Sequence, residues 1–377
     1  MIMTVRKYVA AFAIALLCSM TACSQAPAPG NLIDKGAFDT EIDGKPVSLY
    51  TITNGKITAQ VTNYAGYIVG IYVPDKDGNY ANVVSHNDSI KLYTGGFSRN
   101  PLGAALGRYA NRIGNASFTL DGVKYELTKN NGAHTLHGGT KGFDHTVWDV
   151  EKVTRNSVVM SCVLPDGTDG FPGTLKTTLT FTVTPDDGVS ISYKATTDKP
   201  TVCNLSHHVY FNLEGCPAEN VNDHIVSINA DNITEVDMAL IPTGKLIPVE
   251  GTAYDLRQPT RIGDRQFTMP RGAFVPGQPM PQVPEGMVRS YDNNFCLNHS
   301  KAGKLESVAT AYSPASGRFM EVFNDQPGLQ LYTGGRTAFA MESQLYPDCP
   351  NQPSFPSSVL RPGETYNHTV VYKFSVK

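Results

Sequence analysis

The clearest structural signal in this chain is the stretch TTLTFTVTPDDGVSISYKA at residues 177–195. Threonine alternates with leucine, phenylalanine and valine from Thr177 to Val183, and a second alternating run extends from Val189 to Ala195. A period of two is typical of a strand that buries one face. Asp187-Gly188 lies between the two runs and suits a tight turn. The stretch therefore predicts an antiparallel hairpin.

The same pattern recurs along the chain on both sides of this hairpin. Runs at 47–53 and 56–63 flank Asn54-Gly55, and runs at 116–120 and 124–127 flank Asp121-Gly122. Further strand-like runs lie at 204–213, 226–230, 319–323, 329–333, 337–345 and 369–376. Apart from a few short pieces, only residues 87–93 look helical. Many short strands separated by turns predict an all-β fold, a large antiparallel β-sandwich formed by residues 32–377 as one domain.

The composition supports a folded chain and argues against two classes of protein. Of the 377 residues, 41% are hydrophobic and 17% are charged, which is too apolar and too weakly charged for a disordered chain. The 34 glycines and 25 prolines supply the turns that many strands need. The net charge is −3 and no long basic run is present, so we expect no nucleic-acid partner.

The first 22 residues have the pattern of a signal peptide rather than of a folded element. Arg6 and Lys7 form a positive start, and the apolar run at 8–17 is too short to span a bilayer. The following Ser-Met-Thr-Ala-Cys at 19–23 resembles the lipobox of bacterial lipoproteins. Residues 1–22 are therefore predicted to be a lipoprotein signal peptide.

Cys23 would then become the acylated first residue of the mature protein. Residues 23–31, rich in proline and alanine, suit a tether between a membrane and a folded domain. These features predict an extracytoplasmic bacterial lipoprotein, anchored at the periplasmic face or the cell surface. The alternative is an ordinary signal peptide that is cut after Ala22 and leaves a free cysteine.

The five cysteines beyond the signal region do not define a disulfide framework. They are odd in number, irregular in spacing and free of any C-x-x-C motif. One disulfide bond among them is an alternative in an oxidising compartment. Otherwise we expect these cysteines to be small residues of the core.

Two adjacent histidines in NLSHHVYFNL, residues 204–213, are not equivalent if the segment is a strand. Period two places His207 on an apolar face and His208 on a polar face with Tyr210, Asn204 and Asn212. The polar face is rich in hydrogen-bonding groups and suits a sugar-binding wall. It is equally the pattern of a solvated strand face, so both interpretations stay open.

Glu342 lies in a second alternating segment, TAFAMESQL at 337–345. It shares a face with Ala338, Ala340 and Gln344, and the alanines leave room for a ligand. A carboxylate in such a partly apolar pocket has a raised pKa and suits a general base. The alternative is an ordinary surface glutamate.

Two further segments carry donors and acceptors suited to ligands. His134 and His137 are close in sequence, but a zinc site needs a third ligand, so we predict a glycine-held loop and no metal. Asn111 and Arg112, in GRYANRIG at 107–114, are suited to sugar hydroxyls.

Seven blocks of this sequence together resemble the aldose 1-epimerase (galactose mutarotase) family. They keep the family's order and extend from about residue 32 to the end of the chain. The blocks are GRYANRIG at 107–114, TLHGGTKGFD at 135–144, NLSHHVYFNL at 204–213, IPTGKLIPVEGTAYDLR at 241–257, YDNNF at 291–295, QPGLQLYTG at 326–334 and MESQLYPDCPNQPSFPSSVLRPGE at 341–364. The resemblance implies a β-sandwich of the galactose mutarotase-like type and an enzyme that interconverts the α and β anomers of galactose- and glucose-type aldoses.

The resemblance also implies roles for individual residues. His208 matches the family's general acid and Glu342 its general base. His137 matches a histidine that binds the substrate and assists at the ring oxygen. The remaining matches are substrate-binding positions: Asn111, Arg112, Asp292 and Gln330. A monosaccharide is the expected partner of a monomeric enzyme that uses no cofactor.

Three other functions are alternatives to this one. A non-catalytic glycan-binding sandwich needs no acid and base. A sugar-phosphate epimerase needs a cluster of basic residues at the pocket, and only Arg112 is placed there by motif. A glycosidase needs two carboxylates beside the scissile bond, for which Asp292 and Glu342 are the only candidate pair.

Overall fold

The computed structural model describes residues 30–94, 102–267, 282–335 and 337–377, most of which lie in strands, turns and loops. In chain order the strands are β1 (Thr40–Ile42), β2 (Lys45–Val47), β3 (Leu49–Thr53), β4 (Thr58–Thr62), β5 (Ile68–Pro74), β6 (Tyr80–Asn82), β7 (Ala105–Leu106), β8 (Arg112–Ile113), β9 (Ser117–Leu120), β10 (Val123–Glu126), β11 (Thr135–Leu136), β12 (Asp149–Val153), β13 (Ser157–Leu164), β14 (Leu175–Val183), β15 (Gly188–Thr197), β16 (Thr201–Val202), β17 (Ser206–His207), β18 (Tyr210–Phe211), β19 (Ile225–Ile228), β20 (Ala230–Val236), β21 (Pro242–Pro248), β22 (Thr260–Arg261), β23 (Asp292–Leu297), β24 (Glu306–Tyr312), β25 (Arg318–Asn324), β26 (Gly328–Tyr332), β27 (Phe339–Gln344), β28 (Val359–Leu360) and β29 (Tyr366–Val376).

Helical structure among these residues is limited to short pieces. The α-helices are α1 (Ile90–Thr94) and α2 (Ile262–Arg265). The 3₁₀ turns are Lys35–Ala37, Gly114–Ala116, Phe143–His145, Thr168–Gly170 and Cys349–Asn351. The predicted all-β class is confirmed. The predicted helical segment at 87–93 begins three residues late, at Ile90.

Three sheets contain most of the strands, and their ladders are antiparallel. The largest has the order β12-β13-β14-β15-β29-β25-β24-β19-β22. The second, β18-β27-β26-β23-β20-β21, carries three of the seven candidate site residues, Asp292, Gln330 and Glu342. The third is the four-stranded sheet β3-β4-β5-β6, and two-stranded ladders make up the rest.

The hairpin β14–β15 shows why these sequences form a sandwich. Alternate residues of β14 are buried, among them Leu179 and Phe181, while the threonines between them are partly exposed. The main core joins this face to side chains of the six-stranded and four-stranded sheets, such as Leu331 of β26 and Ile71 of β5. The apolar side chains that recur at every second residue therefore bury the inner face of the nine-stranded sheet against the other two sheets.

Two predicted strands are interrupted, and the first interruption lies in the segment that carries His208. The segment 204–213 forms two short strands, because β17 pairs with β7 whereas β18 pairs with β27. The run at 226–230 divides at Asn229, where the chain passes from the nine-stranded sheet to the six-stranded sheet. A period-two pattern shows which side chains share a face but not where the pairing partner changes.

The signal peptide at 1–22, Cys23 and nearly all of the tether at 23–31 lie outside the described residues. The division of the chain into signal, tether and one domain therefore stays a prediction. Within the described part, all five cysteines are free thiols, and none of the helices is long and apolar enough to cross a membrane.

Candidate active site

Three neighbouring strands of the six-stranded sheet bring the predicted acidic and amide residues together. Glu342 on β27 lies directly opposite Gln330 on β26. Asp292 begins β23, the next strand, and pairs with Tyr332. Because side chains two residues apart on a strand share a face, Gln330 and Tyr332 point to the same side of the sheet.

His208 reaches this sheet from the irregular segment between β17 and β18. Its backbone is held on both sides, since His208 N–H donates to Ala104 O at 3.0 Å and Gly103 N–H donates to His208 O at 2.8 Å. Nε2 of His208 then lies 3.3 Å from Oε1 of Glu342. The side chains are only 7% and 3% exposed, so a potential acid and a potential base meet in a nearly dry pocket.

Burial shifts the pKa values of both groups away from their charged forms. Desolvation lowers the pKa of His208 to about 3. Desolvation, followed by repulsion from Asp292, raises the pKa of Glu342 well above its usual range, against a smaller lowering effect of Arg112. Two such groups in contact titrate as a pair. The pair therefore holds one proton over the neutral range and carries no net charge.

A second cluster of polar groups lies beside this pair. Gln330 Nε2 donates to Asp292 Oδ1 at 2.7 Å. Arg112 Nη2 lies 3.8 Å from Asp292 Oδ2, with side-chain exposures of 14% and 24%. Asp292 is therefore held by an amide on one oxygen and faces a guanidinium with the other, and both oxygens retain lone pairs for hydroxyl donors.

Asn111 and His137 form the opposite wall through a reciprocal contact. His137 N–H donates to Asn111 O at 3.0 Å, and Asn111 N–H donates to His137 Nδ1 at 3.1 Å. The His137 ring lies edge-on to the His208 ring, with 5.7 Å between centroids. Burial, then the proximity of His208 and Arg112, lowers the pKa of His137 well below its usual range. His137 is thus a neutral imidazole beside the pair.

Glycines allow these walls to approach each other. Gly138 has φ +88°, and a Cβ at this position would overlap the backbone of Gly107. Gly107 in turn faces the ring of Phe143 too closely for a side chain. Gly107 and Gly138 are therefore required by packing between the segments that carry Asn111 and His137.

Several buried polar atoms of the site lack a partner among the described residues. They are Oε2 of Glu342, Nδ1 of His208 and Nε of Arg112. A buried polar atom without a hydrogen bond costs free energy, so each one in a native structure calls for an explanation, such as a catalytic role. The unpaired set contains an acceptor and donors, which fits a ligand with several hydroxyl groups.

Comparison with known proteins identifies the family of the chain that carries this site. The sequence matches the family described as aldose 1-epimerase over residues 48–373. The chain belongs to the aldose 1-epimerase family. Galactose mutarotase of Sus scrofa is 37% identical over 348 residues, which cover 88% of this chain and 94% of that protein. Aldose 1-epimerase of Escherichia coli K12 is 32% identical, with 88% and 96% covered.

Solved structures of this aldose 1-epimerase family confirm the fold. An aldose epimerase homologue from C. elegans superimposes with a TM-score of 0.78 at 28% identity, over 88% of this chain and 99% of that one. Galactose 1-epimerase from Lactobacillus acidophilus gives 0.73 at 25% identity, over 90% and 97%. The predicted galactose mutarotase-like β-sandwich is therefore confirmed.

All seven predicted site residues lie in one region of this epimerase, although their individual roles stay predictions. Glu342 is buried, with 2% exposure, so the alternative of a surface glutamate is wrong. Tyr332 is a further residue of this region that was not predicted from the sequence. Its ring lies edge-on to the His208 ring, with 5.9 Å between centroids, while the Tyr210 ring stacks on the His208 ring at 4.5 Å. The pairing of β26 with β23 brings Tyr332 opposite Asp292 and so into the site. This pairing is known only from the three-dimensional structure.

The prediction that Asn204 and Asn212 line a sugar-binding wall is wrong. Both are fully buried, and their amides are used by the fold. Asn204 Oδ1 accepts from Leu345 N–H, and Asn212 Nδ2 donates to Asn220 O and Thr337 O. The strand ends between them, so the assumed common face is not maintained.

The predicted loop at His134 and His137 is present and its histidines face different groups. His134 Nδ1 accepts from Asn115 N–H, whereas His137 faces His208. Within the described ranges, no three His, Cys, Asp or Glu side chains lie close enough together to hold a metal ion.

His207 occupies the core side of the strand, as the face argument predicted. It is 1% exposed, its Nδ1 lies 2.7 Å from the Tyr193 hydroxyl, and its ring packs edge-on against Phe181. We expect His207→Asn to lower the free energy of unfolding by about 1–3 kcal/mol, because a buried hydrogen bond and ring packing are lost. Urea unfolding would measure this effect. A loss of kcat as large as that of a His208 variant, in protein of normal stability, would contradict the assignment.

Proposed function

We propose that this aldose 1-epimerase interconverts the α and β anomers of galactose- and glucose-type sugars by acid–base opening and closure of the ring. The observation that carries the proposal is the buried contact between His208 and Glu342, 3.3 Å apart. Ring opening requires one proton to leave the O1 hydroxyl and another to reach the ring oxygen, O5. A base and an acid held side by side perform both transfers on one bound sugar.

The proton balance of the reaction matches the single proton of this pair. In the reactive state Glu342 is ionised and His208 is protonated. Glu342 takes the O1 proton while His208 donates its proton to O5, and the C1–O5 bond breaks to give the open aldehyde. The pair then consists of a neutral acid and a neutral imidazole. Rotation about C1–C2 presents the other face of the aldehyde, and the reverse transfers close the ring as the opposite anomer.

The buried position of the pair favours this direction of transfer. Desolvation disfavours the ionised forms of both groups, lowering the pKa of His208 and raising the pKa of Glu342. Ring opening replaces two opposite charges by two neutral groups, so the dry pocket stabilises the opened state relative to the ion pair. No net charge enters or leaves the site, and the scheme requires no cofactor.

The neighbouring side chains would bind the sugar hydroxyls. Asp292 accepts hydrogen bonds, Arg112 donates, and Gln330 and His137 complete the walls beside the pair. Asn111 fixes His137 and the backbone of Arg112, whose N–H donates to Asn111 Oδ1 at 2.9 Å. These contacts must tolerate both anomers, because an enzyme accelerates an equilibrium without shifting it.

The proposal is tested by polarimetry with freshly dissolved α-galactose and α-glucose. The purified chain from residue 26 onward is expected to speed the change in optical rotation of at least one sugar while leaving the final rotation unchanged. If neither sugar responds, the proposed substrate class is wrong. Release of reducing sugar from an oligosaccharide would instead support the glycosidase alternative with Asp292 and Glu342 as its carboxylates.

The protonation of the His208–Glu342 pair determines the expected pH profile of kcat/KM. Activity is expected to persist as the pH falls through 6.5, because desolvation lowers the pKa of His208 to about 3 and the pair takes a second proton only there. On the alkaline side, activity falls where Glu342 releases the shared proton, at a pKa that burial has raised. Rates from about pH 4 to about pH 9, with circular dichroism as a folding control, check this profile. An alkaline midpoint at 6.5 would contradict it, since a solvated histidine acting alone titrates there.

We also propose that the enzyme is a lipoprotein anchored through Cys23. The support is the sequence pattern of residues 1–23 and the Pro/Ala-rich segment that follows. Expression of the full chain in a bacterium should yield membrane-bound protein whose mature first residue is acylated, and Cys23→Ala should remove the acyl chains. Soluble wild-type protein that begins with a free Cys23 thiol would contradict the proposal and support an ordinary signal peptide.

A further inference from the structure

A row of buried amides extends behind the proposed sugar-binding residues. Gln344 Nε2 donates to Gln330 Oε1 at 3.2 Å and to Asn294 Oδ1 at 3.1 Å. Gln330 Nε2 in turn donates to Asp292 Oδ1 at 2.7 Å. Gln344, Asn294 and Gln330 are 0%, 2% and 3% exposed. We call the four side chains Asp292, Gln330, Gln344 and Asn294 the amide row.

The carboxylate at one end sets the direction of every hydrogen bond in the amide row. An ionised Asp292 only accepts, so Gln330 must turn its NH₂ group toward it. The oxygen of Gln330 then faces Gln344, which must present its own NH₂ group. Asn294 completes the row by presenting its oxygen. The reverse orientation would place the Gln330 oxygen against the Asp292 carboxylate, which electrostatic repulsion disfavours.

The fold provides space for this arrangement. Asn294 lies opposite Gln330 across β23 and β26, and Gly328 lies opposite Gln344 across β26 and β27. A Cβ at Gly328 would overlap Asn294 Oδ1, so the glycine allows the Asn294 amide to reach Gln344. The unused polar atoms, Asn294 Nδ2 and Gln344 Oε1, are buried without partners. Such atoms cost stability, which argues against packing alone as the role of the amide row.

We infer that Gln344 is a positioning residue for substrate binding, which holds the Gln330 amide in place from behind. The inference rests on the proposed function. With Gln344 in place, Gln330 offers donors to Asp292 and the pocket, and its oxygen is occupied. Asp292 keeps its free lone pairs for sugar hydroxyls. Without Gln344, the Gln330 oxygen loses its partner, and the Gln330 side chain is held through Asp292 alone and moves more freely from its binding position.

Gln344→Met tests the inference, because methionine has a similar length but no amide donor. We expect KM to rise about five- to tenfold with kcat within about twofold of wild type, since the proton-transferring pair is untouched. A double-mutant cycle with Gln330→Met shows how Gln344 acts. In the Gln330→Met background, Gln344→Met should add no further rise in KM. Gln60→Met is the matched control, because Gln60 is also buried, at 1% exposure, but lies on β4 outside the site.

The outcomes separate this inference from the function on which it rests. Wild-type mutarotation in the same assay establishes the function whatever the Gln344 variants do. The inference would be overturned if the rise in KM of the double variant equalled the product of the rises in the two single variants. An unchanged KM in Gln344→Met would also overturn it. If Gln344→Met does not fold, Gln344→Leu in the same cycle also removes the amide donor. A wild-type KM in folded Gln344→Leu would also overturn it.

Discussion

Replacing Glu342 with glutamine is expected to lower kcat for mutarotation by about 10²–10⁴-fold, the usual contribution of a general base. Glutamine has nearly the same shape and hydrogen-bonding reach but cannot take the O1 proton. Sugar binding should change little, because the hydroxyl-binding side chains Arg112, Asp292 and Gln330 remain in place. Polarimetry gives kcat, and isothermal titration calorimetry with galactose gives the affinity.

The stability of Glu342→Gln provides an independent check of the same assignment. A buried carboxyl whose pKa is raised by desolvation destabilises the fold at pH values above its unfolded pKa. The glutamine variant should therefore melt at the same temperature as wild type or higher at neutral pH, while it loses activity. Glu321→Gln, on β25 of the nine-stranded sheet, is the matched control and should retain full rate. A Glu342→Gln enzyme with close to wild-type kcat would show that the base lies elsewhere.

Replacing His208 with asparagine is expected to lower kcat by a similar factor, about 10²–10⁴-fold. Asparagine keeps a polar side chain but cannot donate a proton to O5. The loss of ring packing against Tyr210, at 4.5 Å, should also lower the melting temperature. Kinetics and thermal unfolding measured on the same preparation separate the two effects.

The adjacent His207→Asn variant is the matched control for His208→Asn. Both lose a buried imidazole from the same segment, but only His208 faces Glu342. A large loss of kcat restricted to His208→Asn would support the acid assignment. If both variants lost activity in proportion to their loss of stability, the effect would be one of folding and His208 would have no special role.

Much of the fold was predictable because burial on one face leaves a period of two in the sequence. The runs at 177–183 and 189–195 became β14 and β15 with nearly the predicted bounds. What local pattern cannot supply is the partner of each strand. The break at Asn229, where the chain changes sheets, follows no turn residue pair that a hairpin would need.

The candidate site was predictable in part for the same physical reason. The alternating segment at 337–345 placed Glu342 beside alanines, and the structure buries it there. That His208 contacts Glu342 depends on the pairing of β18 with β27, which joins segments far apart in sequence. The roles of Tyr332 and Gln344 also depend on register, so neither was identified from the sequence.

An isotope measurement tests most directly whether the ring opens at C1–O5. Freshly dissolved α-galactose in H₂¹⁸O is followed by ¹³C NMR with catalytic enzyme, because ¹⁸O bonded to C1 shifts the C1 signal. Ring opening keeps O1 on C1, so the anomers should equilibrate well before the label enters. Entry of ¹⁸O at the rate of anomer interconversion would show that C1–O1 breaks, as in displacement by water, and would contradict ring opening by His208 and Glu342.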